Sequence, residues 1–262
     1  RSLSYFSRGS ILFLGDSITK GLFLKEEQTI PRALEKRISP KFPMFNAGVR
    51  YASPTTESLL YRKLRKHIPI KAVILFVNGS DIIDERLYAG LAAKFDEKGL
   101  PLEFSGKLPT NPMKANPIYE ALKNFNDHFY FIELLRQWNY LSRLSKIAKA
   151  TAPGNSNFCK GVERLRSETD RDHIPLMVVA TPLMPEGIEN IWPGLKYDPQ
   201  ELQRMMDCLK KDGIETLDLS QTPTQNSWYT KDQLHSSPEG AEWIINKVEA
   251  PLRRFLKRFD LL

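Results

Sequence analysis

Five short apolar runs, separated by longer stretches with helical periodicity, constrain the fold of this chain more than any other feature of its sequence. The runs are Ile11–Leu14, Phe42–Gly48, Ala72–Val77, Pro175–Ala180 and Ile214–Leu219. Continuous apolar runs of this length are typical of strands buried in a parallel sheet. Because strands that alternate with helices imply right-handed crossovers, the sequence predicts an α/β fold with helices on both faces of the sheet.

The interval between the third and fourth runs is longer than an ordinary crossover requires. It predicts a largely helical insertion at about 84–172, within a single domain that spans 1–262. In the insertion, Glu97–Pro117 carries four prolines and is predicted to be an irregular loop. Apolar residues recur at three- and four-residue steps over Ile118–Lys149, which predicts a helix that packs on the domain or forms a lid or membrane-contacting element.

Two more helices are predicted in the second half of the chain. Glu201–Lys211 is expected to end at Gly213, which suits the left-handed residue after a helix. Pro238–Leu256 is expected to form the terminal helix, broken or kinked at Pro251.

The composition is that of a globular protein with a basic surface. The chain has 262 residues, 41% of them hydrophobic, and a formal net charge of +7. This balance excludes wholesale disorder and favours anionic neighbours, so peripheral contact with an anionic membrane or envelope surface stays open. The basic residues are scattered rather than arranged in a nucleic-acid-binding motif, so no nucleic-acid partner is expected. The oligomeric state stays open.

The termini and cysteines bear on the compartment. The chain begins at Arg1 rather than Met, which leaves room for an upstream signal or anchor. An extracytoplasmic location, whether periplasmic, secreted or anchored, is therefore favoured over a cytoplasmic one. Cys159 and Cys208 lack the spacing of a metal site and form either one disulfide or two buried thiols.

Gly15-Asp16-Ser17 follows the first apolar run directly. Small polar residues at this place suit a tight turn into a helix N-terminus, where a serine hydroxyl stands clear of the backbone among free N–H groups. That geometry suits a nucleophile. The alternative is that Asp16 or Ser17 only caps the helix.

A serine nucleophile needs a base within hydrogen-bond reach and a carboxylate that orients the base. Of the four histidines, only His235 follows a strand end, in the loop between the fifth run and the last helix. Asp232 precedes it by three residues, so one turn can carry both side chains. The sequence predicts that Ser17, His235 and Asp232 meet.

Four sequence blocks together resemble those of the GDSL/SGNH hydrolases, in the order that this family has them. The blocks are Gly15–Ser17, Asn46–Gly48, Asn78–Asp81 and Asp232–His235. The resemblance implies a three-layer flavodoxin-like fold with a five-stranded parallel sheet in the order 2-1-3-4-5. It also implies an esterase that uses neither metal nor cofactor.

Carried over by position, Ser17 is the nucleophile, His235 the general base and acid, and Asp232 the orienting carboxylate. The N–H groups of Ser17 and Gly48 form part of the oxyanion hole. The family's third block usually reads Gly-x-Asn-Asp, and its asparagine donates to the oxyanion.

This chain departs from that third block. Ser80 stands where the family has asparagine, and Asn78 lies two positions earlier. A serine hydroxyl is shorter and rotates, so either Asn78 reaches the oxyanion, or Ser80 serves alone, or activity is weak. Asp81 is expected to brace the loop through backbone hydrogen bonds.

The predicted function is hydrolysis of acyl esters, acetyl, short-chain or lipid, of a small molecule, glycan or lipid. One alternative is an O-acyltransferase that modifies a polysaccharide or cell-envelope glycan. Another is a catalytically weak binding module with the same fold, which Ser80 motivates. Trp192, in the loop after the fourth run, either lines the substrate pocket or packs under the loop.

Overall fold

A parallel sheet forms the centre of the computed structural model, which describes residues 6–97, 99–104, 158–182, 199–211 and 213–262. The described strands are β1 (Ser10–Leu14), β2 (Met44–Asn46), β3 (Ile70–Val77), β4 (Ala92–Phe95), β5 (Pro101–Phe104), β6 (Leu176–Ala180) and β7 (Glu215–Asp218). Five of them form the sheet in the order β2-β1-β3-β6-β7, with every neighbouring pair parallel. Each predicted run matches one of these strands to within two residues at each end, and the predicted order is confirmed.

Helices cover both faces of this sheet. The described α-helices are α1 (Ser17–Lys20), α2 (Ile30–Ile38), α3 (Pro54–Leu64), α4 (Ser80–Leu91), α5 (Phe158–Arg171), α6 (Pro199–Lys211) and α7 (Pro238–Arg258). Short 3-10 turns lie at Glu26–Gln28 and Asn226–Trp228.

The two hydrophobic cores follow from the two-residue period of a strand. In β1, Ile11 and Phe13 pack with α2 and α7 on one face of the sheet. Leu12 and Leu14 pack with α3, α5 and α6 on the other. All four side chains are buried, which explains why the run is continuously apolar.

The predicted insertion is described only in part. The irregular loop expected from Glu97 is wrong at its start, because β4 and β5 pair as an antiparallel hairpin. Two hydrogen bonds close its turn: Asp96 N–H donates to the carbonyl of Leu100, and Leu100 N–H donates to Asp96 Oδ1. Gly99 supplies the left-handed residue of the turn, at a φ of 75°. Pro101 occupies the first position of β5, where a missing N–H is tolerated. The predicted helix over 118–149 lies outside the described residues.

Helix α5 falls inside the predicted insertion but belongs to one of the layers on the sheet. Its residues Phe158, Val162 and Leu165 are buried in the core that α3 and α6 share. Since β3 and β6 are parallel neighbours, a helix on this face is what their crossover requires. The extent of the insertion, and the single domain, remain predictions.

Helix α7 runs through Pro251 to Arg258, so a break at that proline, one of the two expectations, is wrong, and a kink stays a prediction. Buried residues on both sides of the proline, Val248 and Leu252 among them, hold the helix against the sheet. Helix α6 ends as predicted, with Gly213 following at a φ of 64°.

Within the described ranges, no helix is long and apolar enough to cross a membrane. Cys159 and Cys208 are half-buried thiols, and Cys159 Sγ lies 4.0 Å from the carbonyl oxygen of Arg204.

Candidate active site

Ser17 is the first residue of α1, just beyond the carboxyl end of β1. The capping role falls to Asp16, whose Oδ1 accepts a hydrogen bond from the N–H of Ile18 at 2.8 Å. Gly15 has a φ of 150°, and a Cβ there would lie 2.1 Å from Thr19 Oγ1, so the turn requires glycine. The Ser17 hydroxyl is therefore not used for capping.

The hydroxyl of Ser17 meets the imidazole of His235. The distance between Ser17 Oγ and His235 Nε2 is 3.0 Å. On the other side of the ring, His235 Nδ1 lies 2.6 Å from Asp232 Oδ2. The three side chains that the sequence predicted to meet thus form one chain of hydrogen bonds.

The loop before α7 holds Asp232 and His235 in this arrangement. Thr230 N–H donates to the carbonyl of His235 at 2.8 Å, which closes the loop. Asp232 Oδ1 accepts from Thr230 Oγ1 at 2.6 Å and from the N–H groups of Leu234 and His235 at 3.0 and 3.1 Å. Asp232 Oδ2 faces the imidazole of His235.

Asp232 is almost fully buried, with 3% of its surface exposed. Burial by itself raises the pKa of this carboxyl, but the hydrogen bond and charge of His235 and the hydroxyl of Thr230 outweigh it. The net effect lowers the pKa from 3.8 to about 2. Asp232 is therefore ionised at every pH where an imidazole exchanges protons.

The third block forms a network around Asp16. Asn78 Nδ2 donates to Asp16 Oδ2 at 3.0 Å, and Asn78 Oδ1 accepts from the N–H and Oγ of Ser80 at 2.8 and 2.6 Å. Ser80 Oγ also lies 3.3 Å from Asp16 Oδ2. The N–H of Asn78 donates to Asp81 Oδ2 at 2.6 Å, which is the backbone brace expected of Asp81.

Gly48 lies against α1, but its N–H group does not have the open orientation expected of an oxyanion donor. A Cβ at Gly48 would lie 2.3 Å from the backbone nitrogen of Lys20, so only glycine allows this approach. The Gly48 N–H donates to Asn46 Oδ1 at 3.0 Å instead of pointing into an open oxyanion site. Asn46 is itself fixed by a bond from its Nδ2 to the carbonyl of Thr19 at 3.0 Å.

Two residues at the site were not predicted from the sequence. Thr230 orients Asp232 through its hydroxyl. Phe23 places its ring edge-on to His235, with 5.3 Å between the ring centroids. A threonine two residues before an aspartate and an aromatic residue after a short helix are too common to have signalled either role. Trp192, expected either to line the substrate pocket or to pack under its loop, lies outside the described residues.

Behind Asp16 lies a group of buried carboxyl groups that the sequence did not reveal. Its members are Glu57 on α3 and Asp81, Asp84 and Glu85 on α4. Burial raises the pKa of each, and the charge of Asp16 raises the pKa of Glu57, Asp81 and Asp84 further. Within the described ranges, no group of three or more potential ligands is arranged to hold a metal ion.

Glu57→Gln should stabilise the protein at high pH but not at low pH. Both carboxyl oxygens of Glu57 are buried without a hydrogen-bond partner, and its pKa lies well above 4.5. Since the unfolded chain releases this proton near the ordinary value, stability is lost as pH rises above it. We expect a melting temperature higher by about 3 °C or more at about pH 8 and unchanged at about pH 4. Glu27→Gln, at an exposed position, is the control, and an equal shift at both pH values would contradict the assignment.

Comparisons with known proteins show which solved structures share this fold. No family model and no curated protein sequence matches the chain. Three solved structures are similar to it over 95% of its length and 99% of theirs. They are the psychrotrophic esterase EstA from Pseudoalteromonas sp. (10% identity, TM-score 0.51), a carbohydrate acetylesterase family member from Sinorhizobium meliloti (14%, 0.52) and TesA (12%, 0.53). Identities this low establish the fold alone, and the predicted α/β fold, a five-stranded parallel sheet with helices on both faces, is confirmed.

Proposed function

We propose that this chain, which has the fold of the GDSL/SGNH hydrolases, is a serine ester hydrolase that acts through an acyl-enzyme intermediate. The observation that carries the proposal is the continuous hydrogen-bond chain from Ser17 Oγ through His235 to Asp232 Oδ2. A nucleophile, a base within reach of it and a carboxylate that orients the base are the parts that acyl transfer requires.

In the acylation step, Ser17 Oγ attacks the carbonyl carbon of the ester as His235 Nε2 takes the hydroxyl proton. The carbonyl electron pair moves onto oxygen, which becomes the oxyanion. When that pair returns, the bond between the carbonyl carbon and the alcohol oxygen breaks. His235 Nε2 gives its proton to the departing alcohol, which leaves an ester on Ser17.

In the second step, His235 Nε2 takes a proton from water as the water oxygen attacks the acyl carbon. The bond to Ser17 Oγ breaks, the proton returns to Oγ and the carboxylic acid is released. Asp232 stays ionised throughout, because its pKa is about 2, and stabilises the imidazolium that forms in each step.

For the oxyanion, the arrangement favours Asn78 over Ser80. The single proton of the Ser80 hydroxyl is drawn to Asn78 Oδ1 at 2.6 Å. Because Asn78 Oδ1 accepts from Ser80, its amide nitrogen faces Asp16 and uses one of two protons there. The second proton, together with the N–H of Ser17 at the start of α1, serves as donor. The Gly48 N–H can act as a third oxyanion donor only if it gives up its hydrogen bond to Asn46 Oδ1.

Asn78→Ala should lower kcat by about 10²-fold or more, the usual cost of one oxyanion donor. Ser80→Ala should lower kcat by about tenfold at most, because Ser80 would act only by orienting the Asn78 amide. The measurement is steady-state hydrolysis of p-nitrophenyl acetate by both variants. The reverse ranking would assign the donor to Ser80.

The experiment that tests the proposal as a whole is labelling with a fluorophosphonate, which reacts with activated serine hydroxyls. Intact mass spectrometry should show one adduct, and peptide mapping should place it on Ser17. The adduct should be absent from His235→Ala, which keeps the serine but removes its base. A wild-type protein that neither reacts with the probe nor hydrolyses esters would instead be a binding module with this fold.

Acetyl esters are the first substrates to test. The neighbour from Sinorhizobium meliloti is a carbohydrate acetylesterase family member, which supports an acetylated sugar as one candidate. Acetyl transfer to an added glycan, measured in competition with release of acetate, distinguishes the proposed hydrolase from an O-acyltransferase.

A further inference from the structure

Phe23 lies next to the candidate active site, and the proposed mechanism gives it no role. It is a bulky apolar residue, yet 56% of its surface is exposed. Its backbone has a φ of 70°, a conformation in which large side chains are true outliers. Exposure and backbone strain in one residue beside the imidazole of His235 indicate a functional constraint.

The strain comes from a turn that directly follows the nucleophile helix. Leu22 N–H bonds the carbonyl of Ser17 at 3.1 Å, and Leu24 N–H bonds the carbonyl of Gly21 at 3.0 Å. Phe23 is thus the third residue of a four-residue turn, a place where a positive φ normally calls for glycine or asparagine. The turn holds the Phe23 ring beside the imidazole of His235.

Because Phe23 lies beside His235, its position bears on which side of the ester, alcohol or acyl, it would contact. His235 Nε2 must lie next to the departing alcohol oxygen in order to protonate it. The Phe23 ring stands edge-on to the same imidazole, with 5.3 Å between the two ring centroids. The oxyanion donors belong to other elements, α1 and the loop after β3.

We infer that Phe23 is a specificity-determining residue that packs against an apolar group on the alcohol portion of the ester. The inference rests on the proposed ester hydrolysis and adds the kind of alcohol that the site accepts. An exposed ring held on a fixed turn gives apolar contact area at little further cost in side-chain entropy.

The test compares two substrate series that differ on opposite sides of the scissile bond. Ethyl acetate and hexyl acetate vary the alcohol, whereas ethyl acetate and ethyl hexanoate vary the acyl group. The wild type should prefer hexyl acetate to ethyl acetate, and Phe23→Ala should reduce that preference by about tenfold, mostly through KM. The preference within the acyl series should change by less than about twofold.

Phe23→Gly separates the ring from the backbone. Glycine adopts a φ of 70° without strain, so this variant should lose the same preference while melting at or above the wild-type temperature. Phe259→Ala is the matched control. Phe259 is 45% exposed, but it lines a cavity with residues at the starts of β6 and β7, at the opposite edge of the sheet.

The possible outcomes separate the two proposals. An unchanged preference for hexyl acetate in both Phe23 variants, a wild-type preference for ethyl acetate, or a change confined to the acyl series would overturn the role of Phe23 alone. A wild-type protein that hydrolyses none of these esters would overturn the proposed function as well.

Discussion

Ser17→Ala should lower kcat for p-nitrophenyl acetate by about 10⁵-fold, to the level that oxyanion donors and binding provide without a nucleophile. The loss is this large because the Ser17 hydroxyl forms the covalent bond to the acyl group. The backbone N–H of residue 17 is retained, so residual turnover would measure electrostatic stabilisation alone.

The same substitution should change stability little. Within the part of the chain that the structure describes, Ser17 Oγ has one hydrogen-bond partner, His235 at 3.0 Å, and the cap of α1 is supplied by Asp16. A single such bond contributes about 1 kcal/mol, which corresponds to a shift of a few degrees at most. Ser227→Ala, which removes an exposed hydroxyl bonded to Glu239, is the control for both measurements. Turnover near the wild-type rate in Ser17→Ala would refute the nucleophile assignment.

Asp232→Asn should lower kcat by about 10⁴-fold while the loop keeps its shape. The retained Oδ1 can still accept from Thr230, Leu234 and His235, so the backbone contacts survive. The amide nitrogen that replaces Oδ2 donates to Nδ1, which forces the imidazole proton onto Nε2. In that tautomer His235 cannot take the proton of Ser17.

A matched control for Asp232→Asn is Asp218→Asn. Asp218 Oδ1 likewise accepts from the N–H and Oγ of Ser220, at 3.1 and 2.6 Å, and its pKa is also lowered. Among the described residues, no imidazole is bonded to Asp218. Steady-state rates over a range of pH should show a near-normal profile for Asp218→Asn and a severe loss at every pH for Asp232→Asn. A loss of less than about tenfold in Asp232→Asn would mean that another group orients the imidazole.

The sheet could be predicted because its signal is local. Each buried strand is a continuous apolar run, so all five runs were visible in the sequence, and their ends were placed to within a few residues. The order of the strands came from the resemblance of the four blocks to a known family. The hairpin of β4 and β5 was missed because its turn depends on Asp96 side-chain bonding, and prolines nearby favoured a loop.

The features of the candidate site also divide into those set by local sequence and those set by tertiary contacts. From the sequence alone one could determine that Ser17 follows β1, that His235 and Asp232 share a loop, and that parallel strands bring their polar ends to one edge. Tertiary structure decided what depends on contacts between distant segments: the bond from Asn78 to Asp16 across 62 positions, and the Phe23 ring beside His235. Side-chain direction across such distances is set by packing and hydrogen bonding in three dimensions, and no local residue pattern encodes it.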